Sequence, residues 1–166
     1  NATEDVKIEF QGGEPSLRLD LVAAIVGQVK KIKPHSSFVI CTNLSHLDPL
    51  LLSLLERDDF SISSSLDGPK EIHRANRTID HKNTATFFEN LDYVMDRFGS
   101  NKVSLLPTIS DYPKINETID FFREKKLPEI FLRPVNYQGF ARKKFSSISQ
   151  DAEKWSKHYL KALKYI

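Results

Sequence analysis

The chain has 166 residues, 40% of them apolar and 28% charged, which suits one globular domain with a real core. Twenty-four Lys and Arg against 22 Asp and Glu leave a net charge of +2, which argues against an electrostatic nucleic-acid binder. No apolar run approaches the ~20 residues of a membrane helix, and no signal peptide is legible at the N-terminus. The single cysteine, Cys41, excludes an internal disulfide, suits a reducing cytoplasm, and reads as a buried strand residue.

Val6 to Phe10 alternates at period two and reads as a strand that stops at Gly12-Gly13. Val22, Ile25, Val26, Val29 and Ile32 then share one helical face. Phe38 to Cys41 is a second apolar run of strand length, closed by Thr42-Asn43. Asp48-Pro49 supplies an N-cap and a first-turn proline for a short helix from Leu50 to Leu55.

Phe60 to Leu66 reads as a third strand, and a long polar connection then runs to about Asn83. Thr86 and Glu89 have capping-box spacing ahead of a stripe of Phe87, Phe88, Leu91, Val94, Met95 and Phe98. Val103 to Leu106 is a fourth strand, and Ile115, Ile119 and Phe122 mark the next helix. Ile130 to Val135 reads as a fifth strand, and Trp155, Tyr159, Ala162, Leu163 and Ile166 line the last helix. Five strand–helix units in alternation predict an α/β protein with a parallel sheet and right-handed crossovers. A closed eight-unit barrel needs ~250 residues, so an open sheet or a partial barrel is expected across a single domain, 1–166.

Ligands of parallel α/β folds sit beyond the C-terminal strand ends. The unusual residues of this chain gather there: Gly12-Gly13-Glu14-Pro15, Thr42-Asn43, Ser63 to Pro69, and Arg133-Pro134. Two glycines let a backbone bend sharply and approach a ligand, and Glu14 suits an ammonium group. Read alone, the same four residues also describe a plain turn with a solvated glutamate. Ser65 offers a hydroxyl, Asp67-Gly68-Pro69 is turn chemistry, and Arg77, twelve residues after Ser65, brings a five-donor fork suited to a carboxylate. A turn followed by a surface arginine is the plainer reading of that stretch. His35, His46, His73, His81 and His158 show no paired metal-ligand spacing; His73 reads as structural, and Asp67 as shaping its loop.

Together, Phe10-Gln11-Gly12-Gly13-Glu14-Pro15 and the stretch from Ser65-Leu66-Asp67-Gly68-Pro69 to Arg77 resemble the radical S-adenosylmethionine superfamily. The likeness is greatest to its peptide- and protein-modifying branch, which includes the anaerobic sulfatase-maturating enzymes. That resemblance implies a parallel partial (β/α) TIM-like barrel, with about five of the family's six βα units present. It implies that Gly12, Gly13 and Glu14 meet the amino group of S-adenosylmethionine, and that Ser65 and Arg77 hold its ribose and carboxylate. Leu132 would pack near the adenine, and Asn43 is the weaker candidate among the residues so implied. The implied partners are a peptide or protein substrate and an electron donor, with neither nucleic acid nor membrane.

Two departures from the family pattern stand out. The family's three-cysteine loop, which holds a 4Fe-4S cluster, has no counterpart before Val6. Asn1-Ala2 reads as an expression-tag remnant, and the start near Thr3 as a truncation that leaves the piece inactive. Truncation also predicts that Val6 to Phe10 forms an open edge able to pair with a second copy. The second departure is Thr42-Asn43-Leu44 where the family has Thr-Asn-Gly, which predicts a different backbone path. Other readings are a non-catalytic scaffold with the same fold, or a piece of another parallel α/β barrel enzyme.

Overall fold

A computed structural model describes residues 5–77, 79–136 and 148–166, with the side chains of 148–150 left aside. The readings made at Asn1-Ala2 and Thr3 lie outside the described residues.

Four parallel strands form the main sheet: β1 (Lys7–Phe10), β2 (Ser37–Cys41), β3 (Phe60–Ser64) and β4 (Val103–Leu105). Their order in the sheet is β1-β2-β3-β4, the same as their order in the chain. Each strand therefore lies beside its predecessor, which is the winding of a (β/α) barrel arc; a doubly wound sheet would reverse its order at a switch point. Register runs from Lys7 opposite Ser37 to Phe10 opposite Ile40, then Phe38 opposite Phe60, then Ile62 opposite Val103. Stacked rings of Phe10, Phe38 and Phe60 cross three strands at centroid spacings of 6.4 Å. Among the described residues β1 stands at one edge of this sheet.

The chain divides into two compact units: Asn1–Ser64 with Asp80–Leu105, and Ser65–Ile79 with Leu106–Ile166. The first holds the main sheet with α1 (Leu19–Ile32), α2 (Pro49–Leu55) and α4 (His81–Phe98). In α1 the buried residues are Leu19, Val22 and Val26, while Ile32 at its end is exposed, so the stripe starts earlier than its apolar pattern indicates. Asp48 caps α2 by accepting from Leu50 N at 2.7 Å, with Pro49 in the first turn. Helix α4 buries Phe87, Phe88, Leu91 and Val94 as its stripe predicts. Its cap is Asp80, whose carboxylate accepts from Asn83 N at 2.7 Å. Thr86 and Glu89 therefore lie inside the helix and form no capping box.

The second unit contains α3 (Lys70–Arg77), β5 (Thr108–Ile109), β6 (Arg133–Pro134), α5 (Ile115–Glu124) and α6 (Ile148–Tyr165). Helix α3 occupies the stretch read as a polar connection. Its sole buried residue is His73, so it shows no apolar stripe. The expected fifth strand shrinks to Arg133–Pro134, which pairs in parallel with β5 in a separate two-stranded sheet. Proline at 134 cannot donate to a ladder, which keeps this pairing short. Ile109, Tyr112, Ile115, Ile119 and Ala162 form the core here, with Ile130, Leu132 and Trp155 packed against them. On α6 the stripe is half right: Ala162 is buried, whereas Leu163 and Ile166 are exposed.

Candidate functional site

The turn after β1 is built from two glycines in the left-handed half of conformational space. Gly12 has φ 97° and Gly13 φ 52°, and a Cβ at either would meet no atom within 4 Å. Glycine is required here by backbone geometry, and the open space leaves this main chain approachable. Glu14 follows in extended conformation and caps the 3-10 turn Pro15–Arg18. Its Oε1 accepts from Ser16 N at 3.3 Å and Ser16 Oγ at 2.7 Å, and its Oε2 accepts from Asn43 N at 2.8 Å. The structure thus brings together Glu14 and Asn43, two of the predicted residues, at the C-terminal ends of β1 and β2.

Leu44 has φ 53°, the left-handed region that suits the glycine usual at this position in the family. Leu44 thus adopts, with a side chain, a conformation that glycine takes without strain. Such a conformation costs about 1–2 kcal/mol for an L-residue. The leucine side chain is fully buried, its N donates to Thr42 Oγ1 at 3.2 Å, and its carbonyl accepts from Asn90 Nδ2 at 2.7 Å. Burial of a leucine is worth about 1.5–3 kcal/mol, enough to offset the strain.

Cys41, at the end of β2, is half-buried where full burial was expected. Its thiol donates to Glu9 Oε1 at 3.1 Å. Burial, reinforced by the hydrogen bond to the Glu9 carboxylate, pushes the thiol up to about 11. That makes it a poor nucleophile and a poor metal ligand at neutral pH. Among the described residues no grouping of three or more His, Cys, Asp or Glu forms a metal site.

In the second unit, strand β3 has already ended at Ser64, so Ser65 lies one residue past it and is half-buried. Asp67 is the centre of this turn. Its carboxylate, 1% exposed, accepts from Arg77 Nε and Nη2, both at 2.8 Å, and from Thr108 N at 2.8 Å. Its main chain is held as well: Asp67 N donates to His73 Nδ1 at 3.4 Å, and Asp67 O accepts from Thr118 Oγ1 at 2.9 Å. Burial holds His73 down to about 4, so it stays neutral and its Nδ1 accepts. Gly68, with φ 141°, sits so close that an added Cβ would lie 2.7 Å from Thr118 Oγ1. Arg77 is therefore anchored, and Asp67 shapes its loop as the sequence suggests. Arg74, one turn back, pairs with Glu71 at 2.7 Å. Leu132 is half-buried just before β6 and packs on the apolar core of its unit.

Sequence reasoning names Glu14, Asn43, Ser65 and Arg77 as candidates and does not name Thr108, whose amide completes the hydrogen bonding of the Asp67 carboxylate. That contact spans 41 residues, and no local pattern signals it.

Sequential parallel strands with polar turns at their C-terminal ends define an α/β protein of the partial (β/α) barrel class. Within that class, the chain resembles the radical S-adenosylmethionine superfamily through its anaerobic sulfatase-maturating branch. It is 29% identical over 137 residues to a cysteine-type anaerobic sulfatase-maturating enzyme of Clostridium perfringens, covering 76% of this chain and 35% of that protein. Solved structures of native anSMEcpe with bound AdoMet match its fold at a TM-score of 0.72 and 20% identity, over 93% of this chain and 44% of the other. The same protein with bound AdoMet and a Kp18Cys peptide matches at 0.70. This chain thus spans about a third of the curated relative's length and under half of the solved chains. No family model matches it.

Proposed function

We propose that the whole protein is a radical S-adenosylmethionine enzyme that modifies a peptide or protein side chain, and that this chain is its S-adenosylmethionine-binding core. The observation that carries this reading is the Gly12-Gly13-Glu14 turn: open left-handed backbone, followed by a carboxylate fixed to the next strand end through Asn43. The similarity to a sulfatase-maturating enzyme, and to solved neighbours holding AdoMet and a peptide, supports it.

In this reading Glu14 meets the ammonium of S-adenosylmethionine, with Gly12 and Gly13 admitting it to the main chain. Asn43 steadies Glu14. Ser65 takes the ribose, Arg77 the methionine carboxylate, and Leu132 borders the adenine. Glu14 of the first unit suits a cation and Arg77 of the second suits an anion, the two charges that a methionine portion carries. The residues present do not fit a 4Fe-4S cluster, which needs several thiolates, whereas Cys41 is one poorly ionised thiol. The cluster ligands therefore lie elsewhere in the protein, and the chain by itself is inert. Bound beside such a cluster, S-adenosylmethionine supplies the class's radical chemistry, and the protein supplies orientation and charge. An electron donor and a peptide substrate are the implied partners, in the cytoplasm, with neither nucleic acid nor membrane; among the described residues no helix is long and apolar enough to cross a membrane.

The test is 5′-deoxyadenosine release by the whole protein, reconstituted with iron and sulfide without oxygen and given a strong reductant. Release by the wild type that falls at least tenfold in Glu14→Gln supports the reading. Undiminished release in the variant removes Glu14 from the site. No release from a protein that binds S-adenosylmethionine favours a non-catalytic scaffold.

A further inference from the structure

We infer that Asp67 is a positioning residue: it grips one edge of the Arg77 guanidinium and thereby presents the other edge as a preset carboxylate receptor. This inference rests on the reading given under Proposed function and adds to it a residue that touches no ligand.

The argument begins with the geometry of the fork. A guanidinium has two edges that can each take a carboxylate with two parallel hydrogen bonds. Asp67 occupies the side-on edge, with Nε and Nη2 each 2.8 Å from one of its oxygens. The end-on edge, made of Nη1 and the second Nη2 hydrogen, has no partner among the described residues. The Asp67 side chain is 1% exposed while that of Arg77 is 33% exposed, so the anchor is buried and the receptor reaches solvent.

Rigidity is the second part. Arg77 is the last residue of α3, where an arginine would ordinarily sample many rotamers. Asp67 is itself fixed by Thr108 N on its carboxylate, by His73 Nδ1 on its amide and by Thr118 Oγ1 on its carbonyl. A third fixed donor on the Asp67 carboxylate shares its charge, so the pair does not quench Arg77 completely. On the neighbouring strand Arg133, in register with Thr108, has a buried Nε with no hydrogen-bond partner among the described residues. The Thr108 backbone thus contacts the buried Asp67 carboxylate and stands in register with Arg133.

The experiment measures binding, not turnover. The whole, cluster-loaded protein is titrated with S-adenosylmethionine and, separately, with decarboxylated S-adenosylmethionine, which lacks only the carboxylate. Asp67→Asn keeps the size of the side chain but offers Arg77 one oxygen in place of two. The expected result is at least a tenfold loss of affinity for S-adenosylmethionine, with the decarboxylated ligand unaffected. Arg77→Lys, which leaves the Asp67 anchor intact, serves if Asp67→Asn does not fold; it should show the same selective loss. In the double variant the loss should equal that of Arg77→Lys alone, because Asp67 acts through Arg77. Equal loss for both ligands, or no loss for either, overturns the inference while leaving the proposed function standing. A wild type that binds neither ligand defeats the proposed function, and the inference with it.

Discussion

The Oε2 atom of Glu14 accepts from the backbone N of Asn43 at 2.8 Å, tying the turn after β1 to the turn after β2 across 29 residues of chain. The other carboxylate oxygen holds Ser16, so one side chain caps a 3-10 turn and bridges two strand ends. Glu14→Ala should cost about 1.5–3 kcal/mol of stability, the scale for hydrogen bonds to a charged group. Glu14→Gln, which keeps one accepting oxygen, should cost less. Urea unfolding of the three proteins checks the order, and an unchanged midpoint in Glu14→Ala would show that the turns hold without the bridge.

Leu44 gives a prediction with an unusual sign. Both Leu44→Ala and Leu44→Gly lose a fully buried side chain, at a cost of about 2–5 kcal/mol. Only glycine relieves the φ of 53°. Leu44→Gly should therefore be the more stable of the two by about 1 kcal/mol, against the usual preference for alanine. Thermal unfolding of the pair decides it.

His73 should make stability depend on acidity in a defined window. Burial lowers it from its ordinary 6.5 to about 4. The folded chain keeps it neutral, while the unfolded chain takes a proton below pH 6.5. Its contribution is complete above pH 6.5 and is lost as pH falls through 6.5 toward 4, by up to about 3 kcal/mol. His73→Gln, which keeps an acceptor for Asp67 N, should flatten the fall over that window. Equal slopes for wild type and variant would locate the acid sensitivity elsewhere.

Cys41 should resist alkylation. With the thiol raised from 9.0 to about 11, its thiolate fraction at pH 8 is about a hundredfold below that of an unshifted thiol. Glu9→Gln removes the carboxylate that accepts from the thiol and should speed the reaction with iodoacetamide. Because burial is the larger cause, the gain should be partial. A rate in the native protein equal to that of the unfolded chain would contradict the assignment.

The sequence made visible those features whose chemistry is local. Asp48-Pro49 announces α2, the Phe87 to Val94 stripe announces α4, and alternation announces β1. Helix α3 is illegible in the sequence because it carries seven solvent-facing or half-buried residues around a single buried histidine, so it has no periodic apolar face. Its stability comes from contacts such as Arg77 with Asp67 and Ser110 Oγ with Asn76 Oδ1. The start of α4 is ambiguous in the sequence because Asp80 and Thr86 both begin plausible caps, and only the fold shows that Asp80 does so. Among the candidate residues, Glu14 and Arg77 were legible as motif positions. The buried shell of Asp67 was not, since Thr108 and Thr118 come from far along the chain.

The division of the chain has a consequence for its synthesis. Ser65–Ile79 belongs with Leu106–Ile166, although Asp80–Leu105 between them belongs with the opening segment. A ribosome works from the N-terminus, so the first unit has all its parts once Leu105 emerges. At that moment Asp67 and Arg77 have been made, but the amide of Thr108 and the hydroxyl of Thr118 have not. The guanidinium and its carboxylate must then wait in a half-finished turn, holding each other. A nascent chain arrested shortly after Leu105 should protect β1 to β4 from protease while the Ser65–Ile79 stretch remains open to cleavage.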